Sequence, residues 1–225
     1  MALISSPHLP LILFTLLQLI VIQNHLCCKA DPTDGFTSVT LSESNFQIQK
    51  PYDVAVNQRY SFINGVHKMW VFKTDKPHTP TSQTKPRTEI RITGRDYSSG
   101  VWQFEAYGYI PSGTTGVSIM QIFGASTSAT TLIFPILTLM LRDYNGDLTY
   151  YRTTIEPNIY NRWFRLNVIH DVGASKLKVY INGNLKYEAS GRGGDHHYFK
   201  FGVYGQDNES DRMESRWRGI KLFRK

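Results

Sequence analysis

The chain has 225 residues, of which 41% are hydrophobic and 13% aromatic, which is enough for one domain with a substantial core and too few for two. Its formal net charge of +7 fits anionic partners, but the sequence has no cluster of Lys and Arg and no nucleic-acid-binding signature, so we expect no nucleic acid partner. Both cysteines, Cys27 and Cys28, lie near the amino terminus, which excludes a cysteine nucleophile or cysteine metal site from the rest of the chain.

Residues 9–22 form an almost continuous apolar run, followed by polar residues and Ala30. Such a run before a small residue is typical of a secretory signal, and we predict cleavage after Ala30. The segment before Leu9 lacks Lys and Arg, which leaves an uncleaved anchor as the alternative. No other run is long enough to span a bilayer. We therefore predict a signal peptide at 1–30 and one domain at 31–225, delivered through the secretory pathway to the cell wall or the vacuole.

From Asp31 onward, short β-type runs alternate with turn residues, and no long helix is predicted. The predicted strands are 36–41, 46–48, 59–63, 69–72, 87–91, 102–109, 118–123, 132–141, 148–153, 163–170, 176–181, 185–187, 198–206 and 217–223. About a dozen short strands of this kind predict an all-β, antiparallel two-sheet sandwich of the jelly-roll type. The segment 124–131, rich in Ser, Thr and Ala, is a candidate lid.

The motif RTEIR places Arg87, Glu89 and Arg91 on one strand face, about 7 Å apart. Two guanidinium groups that flank a carboxylate can hold each other rigid, and the planar guanidinium fork suits carboxylate ligands. The alternative is that these three charged side chains simply face solvent on an exposed strand, as is common on sheet surfaces. In the motif QIF, a carboxamide and an aromatic ring, Gln121 and Phe123, also share one face.

The motif YFKFGVYGQ alternates in the same way. Tyr198, Lys200, Tyr204 and Gln206 fall on one face, with Gly202 between them, and apolar residues fall on the other. Aromatic hydroxyls around one Lys, with a glycine leaving room, are typical of the floor of a groove. An ordinary exposed strand face is the alternative.

These three motifs, at 87–91, 121–123 and 198–206, together resemble the signatures of the alginate lyase 2 superfamily, which includes polysaccharide lyase family 7. They occur in the right order and spacing, and the resemblance extends over residues 36–223. Within that superfamily, the chain resembles the plant citrate-binding members. The resemblance implies a concanavalin-like jelly roll whose concave sheet forms a polar groove for uronate polymers.

The resemblance also implies roles for individual residues. In the lyases, the residues matching Arg87 and Gln121 neutralise the uronate carboxylate, the match of Tyr198 transfers a proton, and the match of Lys200 supports the site. A histidine that serves as general base ends the second motif in those enzymes, and here Phe123 stands in its place. Related glucuronan lyases also lack that histidine.

Phenylalanine cannot accept a proton, whereas β-elimination needs a positioned base. Tyr198 would then act as both base and acid, or His78 would reach in from the preceding loop. His196 and His197 are further candidates, and we expect both to lie in an exposed loop.

Two functions therefore remain open, and with them the question of whether the protein is an enzyme. The first is a non-enzymatic binder of a small polycarboxylate such as citrate, or of an acidic polysaccharide. The second is a lyase that cleaves a uronan by β-elimination. A purely structural protein of the cell wall is a third hypothesis, but it would need none of these polar faces. We expect a monomer that needs no cofactor. The expected ligand-binding residues are Arg87, Glu89, Arg91, Gln121, Lys200, Tyr204 and Gln206.

A glycosylation sequon and an acidic turn lie outside the three motifs. Asn208-Glu-Ser210 is an N-glycosylation sequon, for which we predict occupancy if Asn208 lies on an outward loop. Acidic and amide residues at 143–147 are explained by turn chemistry, and no metal site is expected.

Overall fold

The computed structural model of the protein describes residues 30–124, 135–141, 145–150 and 153–225. The chain divides into two compact units, Met1–Asp34 and Gly35–Lys225. In the described part of the first unit, the Thr33 amide donates to the Asp31 carboxylate at 3.0 Å, which closes a turn. Across the described residues, no helix is both long and apolar enough to cross a membrane.

The second unit contains fifteen strands among its described residues. Their bounds are β1 Thr37–Val39, β2 Phe46–Gln49, β3 Tyr60–Ile63, β4 Val66–Phe72, β5 Arg87–Ile92, β6 Val101–Tyr109, β7 Val117–Phe123, β8 Pro135–Leu141, β9 Leu148–Tyr150, β10 Thr153–Glu156, β11 Trp163–Asp171, β12 Lys176–Ile181, β13 Asn184–Ser190, β14 Tyr198–Gly205 and β15 Arg212–Arg224. Two short 3-10 turns, Glu43–Asn45 and Val56–Gln58, are the helical elements of the described chain.

The strands form two antiparallel sheets. The eight-stranded sheet has the order β13-β12-β11-β6-β15-β4-β3, with β1 paired to β15. The seven-stranded sheet has the order β10-β9-β8-β7-β14-β5-β2. The strands that carry the three motifs, β7, β14 and β5, are therefore consecutive neighbours in one sheet.

The core lies between the two sheets and is built from the inward half of each alternating strand. Phe199 and Phe201 of β14 pack against Phe104 of β6, with ring centroids 5.9 and 5.6 Å apart. Trp217 of β15 lies edge-on to Phe201 at 5.7 Å. These rings are buried, as is Ile90 of β5, and such burial of apolar surface is the main driving force for the sandwich. The opposite face of β5 and β14 is left to carry the polar residues.

The predicted antiparallel two-sheet sandwich is confirmed, with differences at single strands. The last strand begins at Arg212, well before the predicted start at Trp217, because its inward residues there include Ser215 and do not give a continuous apolar signal. The predicted strand 148–153 is observed as β9, which ends at Tyr150, and a separate strand, β10, begins at Thr153 and extends to Glu156 beyond the predicted end. The candidate lid lies outside the described residues apart from Gly124, and the turn at 143–147 lies partly outside them.

Candidate functional site

Three adjacent strands bring the motif residues onto one face of the seven-stranded sheet. Lys200 of β14 lies directly opposite Arg91 of β5 on one side and Gln121 of β7 on the other. Toward one end of this row, Tyr198 lies opposite Phe123. Directly opposite residues in antiparallel strands share a face, so these side chains line one surface. We call this surface the groove face.

A β-bulge at Gly202 shapes the centre of the groove face. The register of β14 against β7 shifts between Phe201 and Tyr204, whereas its register against β5 is continuous. Gly202 has φ of 145°, a conformation that L side chains rarely adopt, and an added Cβ would lie 2.4 Å from the carbonyl oxygen of Thr88. Only glycine fits this position, and it allows β14 to pass close to β5.

A buried ion pair forms the middle of the site. The Lys200 Nζ donates to Glu89 Oε2 at 2.6 Å, and both side chains are almost fully buried. Burial lowers the pKa of Lys200, and the Glu89 carboxylate opposes this effect. Arg87 Nη1 lies 3.5 Å from the same Glu89 oxygen. The buried Glu89 carboxylate thus contacts two cations of the groove face, Lys200 and Arg87.

Arg91 occupies one end of the site, and its partner differs from the expected one. Its Nη2 lies 2.5 Å from Asp96 Oδ2, so the expectation that both arginines flank Glu89 holds for Arg87 alone. The reason is that the loop after β5 returns Asp96 to the strand. The Arg91 guanidinium also lies 3.9 Å from the centroid of the Tyr198 ring, a cation–π contact.

Tyr198 is held between Arg91 and Phe123, whose ring stacks on the phenol ring with centroids 5.1 Å apart and an interplanar angle of 24°. Burial raises the pKa of Tyr198, and the positive charge of Arg91 offsets only part of this rise. The side chain is therefore a neutral phenol at neutral pH, which donates a hydrogen bond readily and accepts a proton poorly.

A second arginine–tyrosine pair occupies the other end of the site. Tyr204 lies opposite Arg87 in the register, and the guanidinium carbon lies 3.8 Å from the ring centroid. Ser118 of β7 lies opposite Tyr204 on the other side and is fully buried. The groove face thus carries one Arg–Tyr stack on each side of the buried Lys200–Glu89 pair.

Several polar atoms of this face have no hydrogen-bond partner among the described residues. Gln121 is 3% exposed, and its carboxamide forms no hydrogen bond within the described part of the chain. Buried side-chain atoms on these strands that lack a protein partner are Gln49 Oε1, Arg87 Nε, Glu89 Oε1, Arg91 Nε and Ser118 Oγ. Buried polar groups are normally paired, so this concentration of donors and acceptors marks a surface suited to a polar ligand.

His78 lies in the loop that precedes β5, close enough to the site for the charges of Arg87 and Lys200 to act on it. Burial lowers the pKa of His78, and the two cations lower it further, whereas the hydrogen bond to Lys50 O raises it. His78 Nδ1 lies 3.3 Å from that carbonyl oxygen and must donate to it, which leaves Nε2 as the acceptor. Its role as a candidate base remains a prediction.

The two neighbouring histidines have opposite environments. The His196 side chain is 67% exposed, and its Nε2 lies 2.9 Å from Asp96 Oδ2 at the edge of the site. His197 is 1% exposed, so the expectation of an exposed loop is wrong for this residue. A backbone bridge between Tyr97 and His197 folds the segment inward, and the imidazole packs against the Tyr97 ring and against His170.

Two predicted residues lie beyond the end of β14. The Gln206 carboxamide donates to the backbone carbonyl oxygen of Gly205 at 2.8 Å. It forms no hydrogen bond with the side chains of the other groove residues that the structure describes. Asn208 is exposed in a turn, as the glycosylation prediction requires, and occupancy remains a prediction.

Sequence reasoning missed four residues of this surface: Gln47, Gln49, Asp96 and Ser118. The glutamines of β2 lie opposite Arg91 and Glu89 in the register and so belong to the groove face. Their alternation in the run Phe-Gln-Ile-Gln was a usable signal. The other two had none, because their place depends on a loop return and on the strand register. Among the described residues, no group of three or more His, Cys, Asp or Glu is placed to hold a metal ion.

Comparison with known proteins agrees with this geometry. Residues 39–224 match the sequence model of a family described as alginate lyase (Alginate_lyase2). The chain is 50% identical over 222 residues to the citrate-binding protein of Hevea brasiliensis, an alignment that covers 97% of this chain and 90% of that protein.

Solved structures share the fold at low sequence identity. An alginate lyase of polysaccharide lyase family 7 superposes with a TM-score of 0.62 at 17% identity, covering 86% of this chain and 98% of that one. An alginate lyase from Pseudomonas aeruginosa superposes with a TM-score of 0.58 at 17% identity, covering 82% and 100%. The predicted jelly roll is therefore confirmed. The family match spans almost the whole sandwich and the Hevea relative is half identical, so this chain belongs to the alginate lyase 2 family.

Proposed function

We propose that this protein binds citrate, or a similar small polycarboxylate, on the groove face and does not cleave glycans. The observation that carries the proposal is the pair of arginines held on tyrosine rings beside Gln121, without a histidine base at position 123. Arginine forks form strong charge-assisted hydrogen bonds with carboxylates, and their stacking on rings fixes them before the ligand arrives. The relation to the Hevea citrate-binding protein supports the same choice.

The partnerless atoms of the site match the groups of such a ligand. Arg87 Nε and Arg91 Nε offer donors to carboxylate oxygens, and the neutral phenol of Tyr198 offers another. Glu89 Oε1 is an acceptor, which suits the hydroxyl group that citrate carries beside its three carboxylates. We therefore propose that Glu89 contacts the ligand through this oxygen and also supports Lys200.

Calorimetric titration with citrate tests the proposal. An Arg87→Ala, Gln121→Ala double variant is expected to bind citrate at least about tenfold more weakly, since each hydrogen bond to a charged group contributes roughly 1.5–3 kcal/mol. Arg224→Gln, which removes an exposed arginine from the other sheet, serves as the matched control and should bind like the parent. Unchanged affinity in the double variant would overturn the proposal.

Cleavage of a uronan is the second candidate, because the fold neighbours are lyases and Tyr198 is present in the motif. A lyase would generate unsaturated uronates, which absorb in the ultraviolet. We expect a flat trace with glucuronan, alginate and pectic polymers, because Phe123 cannot accept a proton and burial keeps Tyr198 protonated. Growth of the band, abolished in Tyr198→Phe, would instead establish a lyase.

We further propose that the protein acts in the secretory pathway after removal of residues 1–30, in the cell wall or the vacuole. The apolar run at 9–22 and the small residue Ala30 support this proposal. Mass spectrometry of the protein recovered from its natural source should find Asp31 at the amino terminus. Recovery of an intact amino terminus in a membrane fraction would favour an anchor.

A further inference from the structure

The outward face of the eight-stranded sheet carries a patterned set of cations and aromatic rings, on the side of the sandwich opposite the groove face. Two cross-strand rows of β4, β15, β6 and β11 define it. We call this surface the arginine–tyrosine face. Its residues are Lys68, Arg216, Tyr109 and Trp163 in one row and Arg218, Tyr107 and Arg165 in the next.

Cation–π contacts fix these side chains relative to one another. The Arg218 guanidinium lies 4.3 Å from the Trp163 ring and 5.7 Å from the Tyr107 ring. Arg216 lies 5.1 Å from the Tyr109 ring, which in turn lies 5.5 Å from Trp163. Because the guanidinium groups already rest on rings, little conformational freedom remains to be lost when an anion binds them.

The charge on this face is strongly positive at its surface. The Glu214 carboxylate is almost fully buried and lies beneath Arg216 and Lys68, with N–O distances of 2.7 and 3.7 Å. Arg218 forms no ion pair with any carboxylate among the described residues. Arg216 and Arg218 lie two residues apart on β15, a spacing of about 7 Å along the strand. The positive charges of Arg216, Arg218 and Lys68 therefore lie at the surface, whereas the negative charge of Glu214 is buried beneath them.

The face is open to a ligand. Tyr107 is 39% exposed, and the side chains of Arg216 and Lys68 are each 38% exposed. The Tyr107 hydroxyl has no hydrogen-bond partner within the described part of the chain. A polymer that lies across these rows would meet guanidinium forks and a phenol hydroxyl at regular intervals.

We propose that the arginine–tyrosine face binds an acidic polysaccharide whose carboxylates pair with Arg216 and Arg218 and whose hydroxyl groups bond to Tyr107. Charge complementarity supports an anionic polymer, and repeated forks suit repeated carboxylates. A single-stranded nucleic acid fits less well, because base stacking needs open ring faces and the arginines occupy these rings. This inference concerns the other sheet and does not depend on citrate binding.

The test compares binding of polygalacturonate by the parent protein, an Arg216→Gln, Arg218→Gln double variant and a Lys73→Gln, Lys85→Gln control. Affinity electrophoresis through gels that contain the polymer gives the dissociation constants. We expect at least tenfold weaker binding in the arginine variant. The lysine control removes two exposed cations elsewhere and should bind like the parent. A groove variant, Gln121→Ala, should also bind like the parent.

Three results would overturn the proposal. One is equal weakening in the arginine and lysine variants, which would indicate net charge alone. Another is weakening only in Gln121→Ala, which would place the polymer in the groove. The third is equal or tighter binding of polyphosphate or poly(U), which would indicate a general polyanion or nucleic acid site. If loss of Arg216 beside Glu214 unfolds the double variant, single Arg218→Gln carries the test and should weaken binding at least threefold.

Discussion

Buried histidines make the stability of this protein depend on pH between neutrality and moderate acid, and His67 and His170 have the largest shifts. His67 is 6% exposed and lies 2.9 Å from the Tyr60 hydroxyl, and His170 is 3% exposed and lies 3.0 Å from the Tyr97 hydroxyl. Burial lowers the pKa of each histidine to about 4. Both imidazoles are therefore neutral in the folded protein at pH values where an unfolded chain would protonate them.

The sign and size of the effect follow from that difference. With an unfolded pKa near 6.5, the unfolded state gains protons first as the pH falls, so the stability present above pH 6.5 is lost between about pH 6.5 and pH 4. From pH 7 to pH 5, each histidine lowers the free energy of unfolding by about 2 kcal/mol, or about 4 kcal/mol together. That is a large part of the 5–15 kcal/mol typical of a folded domain.

Acidic side chains contribute in a different window. The pKa of Glu156, Glu209 and Glu214 is lowered in the folded protein: burial raises each value, but hydrogen bonds and the charges of nearby Lys or Arg more than offset it. Their stabilising effect is present above the ordinary carboxylate pKa and is lost below it. The interval from pH 7 to pH 5 therefore isolates the histidines.

Equilibrium unfolding in urea at pH 7, 6 and 5 measures the effect. Substitution His170→Gln keeps a polar side chain beside Tyr97 and removes its titration, so the loss of stability between pH 7 and pH 5 should fall by about 2 kcal/mol, whatever the stability at pH 7. His67→Gln, at the other histidine with a pKa of about 4, should reduce the loss by a similar amount. A pH-independent free energy of unfolding across this range, or an unchanged loss in His170→Gln, would refute the reasoning.

Further predictions concern the groove face. Gly202→Ala should cost at least about 2 kcal/mol of stability because its Cβ would meet the backbone of β5, whereas Gly65→Ala, with no atom within 4 Å of the added Cβ, should cost about 1 kcal/mol; urea unfolding compares them. Glu89→Gln should lose about 3–5 kcal/mol by stranding the charge of Lys200, and the added substitution Lys200→Met should recover most of it. Asp96→Asn should strengthen citrate binding severalfold in calorimetry by freeing the guanidinium that Asp96 now holds.

Membership of the groove face was predictable because strand geometry is local. Alternation alone places Arg87, Glu89 and Arg91 together, and the same rule groups Tyr198 with Lys200. The bulge at the intervening glycine did not disturb the prediction, since the register of β14 against β5 continues through it. Where the face on which a side chain lies depends only on the alternation within its own strand, that face can be predicted from the sequence.

Partnership within the face was not predictable in this way. Glu89 pairs with Lys200 across a separation of 111 residues, and Arg91 pairs with Asp96 through the path of a loop. Both partners depend on which strands meet and where loops return. His197 shows the same limit, because its burial depends on a bridge to Tyr97 that no local pattern encodes.

These pairings decide what the groove face offers to a ligand. The charge of Lys200 is already neutralised by Glu89. Lys200 therefore serves mainly to position its neighbours, and it attracts an anionic ligand only weakly. Arg91 is shared with Asp96, which a carboxylate ligand must displace or tolerate. Arg87 makes only a 3.5 Å contact with Glu89 and stacks on Tyr204, so it has the most donor capacity left. A carboxylate ligand should therefore bind first to Arg87. For this reason a substitution of Arg87 tests the proposed function more directly than a substitution of Arg91.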